Sequence, residues 1–166
     1  MSSSRARTIN ARATAFGALI TFLVAATVSV ARLLATNPNA LTEVVWAEDG
    51  LFPLCVRKAG DLACITQAYA GYLLFEPRVL ASVISRFHVD QWAMASNLAA
   101  ALVAGVCAAA VFALLRSRGL HVITSGFVAI LVVLVPIAGV EALNVYSTNY
   151  TPLLVTSTIA LAYLSL

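Results

Sequence analysis

Four predominantly apolar stretches, separated by polar segments of very unequal length, set the pattern of this chain. Residues 13–31 carry no charge, and a first spanning helix is expected over about 13–33. That length is close to the roughly 20 residues that cross a hydrocarbon core about 30 Å thick. Arg5, Arg7 and Arg12 precede it as in a signal peptide, but the apolar part exceeds the usual length of roughly 7 to 15 residues. No convincing small-x-small cleavage site follows, so the segment is expected to stay on the chain. Further spans are expected over about 91–115 and 121–140. A fourth, 151–166, ends while still apolar and without a basic flank, so the chain is expected to be truncated at its C-terminus. Between the first two spans, residues 34–90 form a large loop that collects acidic residues, three prolines and two cysteines.

Within that loop one run has helical periodicity. Leu73, Val79, Leu80, Val83, Ile84 and Phe87 share one face, while Arg78, Ser82, Ser85 and Arg86 fall elsewhere, and Pro77 suits a first turn. At about eleven residues it is too short to span and is expected to lie in the interface with its apolar side down. The fold class is therefore all-α, a multi-pass transmembrane helical domain of about four spans with a large first loop carrying a short amphipathic helix. In the second span Ser96, Ala100, Ala104 and Ala108 repeat every four residues, a stripe that lets a partner helix approach closely, while Leu98, Leu102 and Val106 lie on a face suited to membrane lipids.

Composition reinforces this. Hydrophobic residues make up 61 % of the chain and charged residues 10 %. Those charges are too few to cover a soluble domain, and the chain is too apolar for disorder. A net charge of +3 with no basic run longer than Arg57-Lys58 gives no nucleic-acid footprint. Arg5, Arg7 and Arg12 (in residues 1–12), with Arg116 and Arg118 between spans two and three, sit where no acid is found. All seven acids fall on the other side. The positive-inside rule then puts the N-terminus in the cytoplasm and residues 34–90 outside a bacterial plasma membrane.

Candidate chemistry gathers in the outer loop. Trp46-Ala47-Glu48-Asp49-Gly50-Leu51-Phe52-Pro53 sets two adjacent carboxylates between aromatics just after a span. Glu48 and Asp49 offer hard oxygen ligands for a divalent cation such as Mg or Mn, and either suits a general base; the other reading is a hydrated Asp-Gly turn beside an interfacial Trp. Cys55 and Cys64 are spaced for a disulfide, with two free thiols as the alternative, and Cys107 reads as a packing residue. Arg78 would stand at phosphate depth, where its guanidinium fork suits a phosphate, or else pair with Glu76 or a bulk headgroup. Glu141 is either a functional acid at a membrane edge or a solvated helix end. His88 and His121 fall on opposite sides and cannot share a site, and the sequon at Asn149 abuts the bilayer.

Three pieces, Trp46-Ala47-Glu48-Asp49-Gly50 with Phe52, Tyr69-Ala70-Gly71-Tyr72 followed by Pro77-Arg78, and Val135-Pro136 through Glu141 and Asn144, resemble in order and spacing the N-terminal part of a bacterial multi-pass family similar to GT-C-type glycosyltransferases. The resemblance covers roughly residues 13–160. It implies a lipid-linked sugar donor on a polyprenyl phosphate, with Asp49 as catalytic base and Glu48 as its alternative or metal-binding helper. It further implies Arg78 on the donor phosphate, Trp46, Tyr69 and Tyr72 along the sugar or polyprenyl path, Glu141 and Asn144 among the binding residues, and inversion at the sugar carbon. The chain departs from the family in its few spans and in Tyr150-Thr151, where a histidine-tryptophan pair is expected. A noncatalytic multi-pass protein packing against partner helices, or a transporter component using Arg78 and Glu141, is the alternative.

Overall fold

The computed structural model describes residues 2–36, 38–39, 41–42, 47–68, 75–134, 158 and 162; among these, the side chains of 2–10, 36, 47–49, 76 and 132–134 lie outside the description. The described residues are helical, with no strand among them. In chain order the helices are α1 (Ser2–Thr36), α2 (Ala47–Ala59), α3 (Asp61–Thr66), α4 (Phe75–Ile84), α5 (Trp92–Ser117) and α6 (Val122–Leu134), with a 3₁₀ turn at Val89–Gln91 before α5. Two stretches, Ala11–Ala35 in α1 and Val89–Ser117 through α5, are long and apolar enough to cross a membrane. Within the expected third span lies α6, whose apolar part, Val122–Leu131, is shorter than these; the rest of that span, with Pro136, and Glu141 and Asn144 beyond it lie outside the described residues, as does almost all of 151–166.

Helices α1 and α5 pack antiparallel along most of their length through two reciprocal pairs. A methyl group on Gly105 would sit 2.8 Å from the Phe22 ring and 2.9 Å from the Phe22 carbonyl oxygen, and one on Gly17 would sit 2.5 Å from the tip of Phe112. Each helix thus sets an aromatic ring into a glycine gap of the other. Apolar helices in lipid gain nothing from leaving water, so close approach of this kind supplies their attraction. The stripe Ser96, Ala100, Ala104 and Ala108 is buried in the same packing, the last two completely, whereas Leu98, Leu102 and Val106 are exposed. The long helices that pack on α5 here are the chain's own α1 and α6. Helix α6 closes the third side, with Ala129 against Val111 and Phe112.

The α5–α6 connection is tight because α5 ends in a Schellman motif. Gly119 takes φ 81°, its N–H donates to the Arg116 carbonyl at 3.0 Å, and Leu120 N–H donates to the Leu115 carbonyl at 3.2 Å. Arg116 adds a side-chain hydrogen bond to the Leu120 carbonyl.

Between α1 and α5 the chain builds a cap of three helices where the sequence predicts one. Sequence periodicity is a weak guide to the other two: α2 carries Pro53 in its interior, and α3 is only six residues long. Gly60, at φ 89°, turns the chain between them. A disulfide joins Cys55 of α2 to Cys64 of α3 with Cα atoms 5.9 Å apart. Helix α4 then lies across α2 and α3, with Pro77 in its first turn where no helical N–H is lost.

Candidate functional site in the cap

The helical face of α4 is arranged as the reverse of a soluble protein's. Pro77, Arg78, Ala81, Ile84 and Ser85 are buried against the rest of the cap, while Phe75, Val79, Val83 and Phe87 are exposed. An apolar outer side is what a helix in contact with lipid requires. Between that side and the exposed face of α5 runs a groove of about 670 Å³, lined by Phe75, Val79 and Val83 from α4 and by Leu98, Leu102 and Val106 from α5. A second groove of about 570 Å³ lies on the other side of Leu98 and Leu102, against Val30 and Leu34 of α1.

Arg78 is turned away from this groove and is 2 % exposed. Its guanidinium stacks on the Phe52 ring, 4.5 Å from the centroid, and Nη1 donates to the Cys64 carbonyl oxygen. Its Nε has no hydrogen-bond partner among the described residues. The expectation of an arginine standing open at phosphate depth is therefore corrected: α2 and α3 cover it. The helical wheel placed Arg78 off the apolar face correctly, but the opposite face meets protein and not headgroups. A guanidinium this deeply buried is costly unless it is paired and hydrogen-bonded.

Arg57, in the last turn of α2, is a structural tie of the cap that the sequence pattern did not single out. Its Nε donates to the Ser85 carbonyl at 3.0 Å and Nη2 to the Phe87 carbonyl, and its plane lies 4.8 Å from the Trp92 ring. Trp92 Nε1 donates to the same Phe87 carbonyl at 3.3 Å. Together they satisfy carbonyls left open where α4 ends and fix that end to the first residue of α5. The available signal was an Arg-Lys pair shortly before a glycine, the usual basic close of a helix. Arg86 pairs with Asp61 across α3 and α4. His88 pairs with Asp90 at 2.6 Å beside the 3₁₀ turn, and His121 lies at the far end of α5.

Glu48 and Asp49 fall in the first turn of α2, where the helix dipole favours negative charge; their side chains lie outside the description. Pro53 has no N–H, so the Asp49 carbonyl lacks its helical partner and the first turn of α2 is loosely tied. Trp46, Tyr69, Tyr72, Glu141 and Asn144 lie outside the described residues. No group of three or more metal-ligating side chains occurs among the described residues. The structure thus gathers Phe52, Cys55, Cys64 and Arg78 into one small core on which α2 begins. Comparison with protein-family models, with curated proteins and with solved structures found no match to this chain.

Proposed function

We propose that this chain is the N-terminal part of a membrane-embedded glycosyltransferase of the GT-C type, with about four spans, a cytoplasmic N-terminus and the α2–α4 cap on the extracytoplasmic face of a bacterial plasma membrane. The donor is a sugar carried on a polyprenyl phosphate. The observation that supports this reading is the two-sidedness of α4: an apolar groove of about 670 Å³ on one side, and on the other a buried guanidinium whose Nε has no partner among the described residues. A lipid-linked phosphate presents that pairing of chemistries.

In this reading Asp49 accepts the proton of the acceptor hydroxyl as its oxygen attacks the anomeric carbon. The bond from that carbon to the phosphate oxygen breaks, and polyprenyl phosphate departs with the electron pair, inverting the sugar carbon. Arg78, covered by α2 and α3 in this structure, would offset the charge that grows on the leaving phosphate once it is uncovered. Glu48 would support Asp49 directly or by holding Mg or Mn, Trp46, Tyr69 and Tyr72 line the donor path, and Glu141 and Asn144 are among the substrate-binding residues.

The test is Asp49→Asn, assayed for transfer of labelled sugar from a polyprenyl-phosphate donor in membranes that carry the whole coding region. Loss of at least about 10²-fold in rate, with expression and insertion unchanged, is expected for removal of a general base. Full activity rejects the role.

A further inference from the structure

Helix α3 has six residues, too few to hold its shape alone, so its ties to its neighbours decide where it lies. There are three among the described contacts. Cys64 is bonded to Cys55 of α2, Asp61 pairs with Arg86 just beyond α4, and the Cys64 carbonyl accepts from Arg78. The first is covalent, the second is a partly exposed ion pair at the edge of the cap, and the third belongs to the same residue as the first. Cys64 therefore both anchors α3 and occupies Arg78.

We propose that the Cys55–Cys64 disulfide is a redox latch over Arg78: closed, it holds the Cys64 carbonyl on the buried guanidinium, and its reduction by a dithiol releases α3 and uncovers Arg78. The latch stands on this geometry alone and does not depend on the transferase reading. Cys64 is 1 % exposed and Cys55 is partly open, so a dithiol's thiolate attacks the Cys55 sulfur. The Cys64 thiolate leaves and takes up a proton. The dithiol's second sulfur then closes on the first, releasing the Cys55 thiol, so that two electrons pass to the protein and the dithiol ends as its own disulfide. With α3 loosened, Arg78 loses the Cys64 carbonyl, and its Nε has no acceptor among the described residues. An unsatisfied buried cation is driven towards solvent.

Arginine modification by phenylglyoxal, read peptide by peptide by mass spectrometry on the purified full chain, tests this. After dithiothreitol, modification of Arg78 is expected to rise at least about tenfold, corresponding to a shift of about 1.4 kcal/mol in the closed-to-open balance. Exposed Arg86 should change little, and reoxidation should restore protection. The Cys55→Ser/Cys64→Ser variant should match the reduced protein without dithiol. Unchanged Arg78 reactivity after a complete two-hydrogen mass shift overturns the latch. A uniform rise at every arginine with loss of helical circular dichroism overturns it too, since the chain would then be unfolding as a whole.

Discussion

The bundle and the cap solve the same packing problem by opposite means. Helices α1, α5 and α6 are held by shape: rings of Phe22 and Phe112 fill the gaps at Gly105 and Gly17, and alanines let the backbones close. The cap is held by directed bonds, namely a disulfide, the Arg57 hydrogen bonds, the Arg78 stack and the Asp61–Arg86 pair. Length explains the contrast. A helix that crosses a bilayer has many turns over which weak contacts add up, whereas helices of 13, 6 and 10 residues bury too little to stay folded by packing. Where a site must be placed finely, covalent and hydrogen-bonded ties also fix position better than apolar contact does.

The sharpest way to break the comparison is to add one methyl group to the bundle. Gly105→Ala forces the new carbon against the Phe22 backbone carbonyl, which cannot move without separating the helices. A loss of about 1–3 kcal/mol is expected, at the upper end because backbone must shift. For Gly17→Ala the three nearest atoms all belong to the Phe112 ring, so Gly17→Ala with Phe112→Leu should recover most of its loss. Adding Phe22→Leu to Gly105→Ala should not. Unfolding of the detergent-solubilised protein, followed by circular dichroism as a double-mutant cycle, reads the difference. Equal rescue of both would mean that the rings, and not backbone approach, set the bundle's spacing.

The cap answers to a different change. Arg57→Met keeps the apolar stem over Trp92 but removes both bonds to the end of α4. About 1–2 kcal/mol is expected after allowing for solvent, confined to the cap. Amide exchange after α4 should quicken while exchange within α5 holds. If the bundle loosened equally, cap and bundle would be one cooperative unit.

How far these arrangements could be read from sequence differs in the same way. The two long apolar helices and the small-residue stripe follow from local pattern, since residues four apart on a helix share a face whatever covers them. What covers them does not follow: Gly17 meets Phe112 only once the antiparallel register is known. In the cap, the periodicity around α4 sorted the exposed Val79, Val83 and Phe87 from Arg78, but it put Ile84 on their face although Ile84 is buried with Arg78. A wheel gives direction relative to a helix's own axis and not which side is lipid, so the burial of Arg78 depended on α2 and α3, whose Pro53 and short length hide their periodicity. The cysteines were legible from their spacing, because nine positions with a glycine turn between bring two side chains back together.

The smallest effect is the most informative about what holds α3. Arg86→Gln removes the ion pair with Asp61, in which the two side chains are 67 % and 43 % exposed. Pairs in such surroundings contribute about 0–1 kcal/mol, because water screens the attraction and ordering two long side chains offsets it. Amide exchange of residues 61–66 should therefore change little in Arg86→Gln and should be nearly insensitive to salt in the wild type. The opposite result, exchange as fast as in the reduced protein, would show that α3 is held by charge, and the covalent tie would then be secondary to an interaction at the edge of the cap.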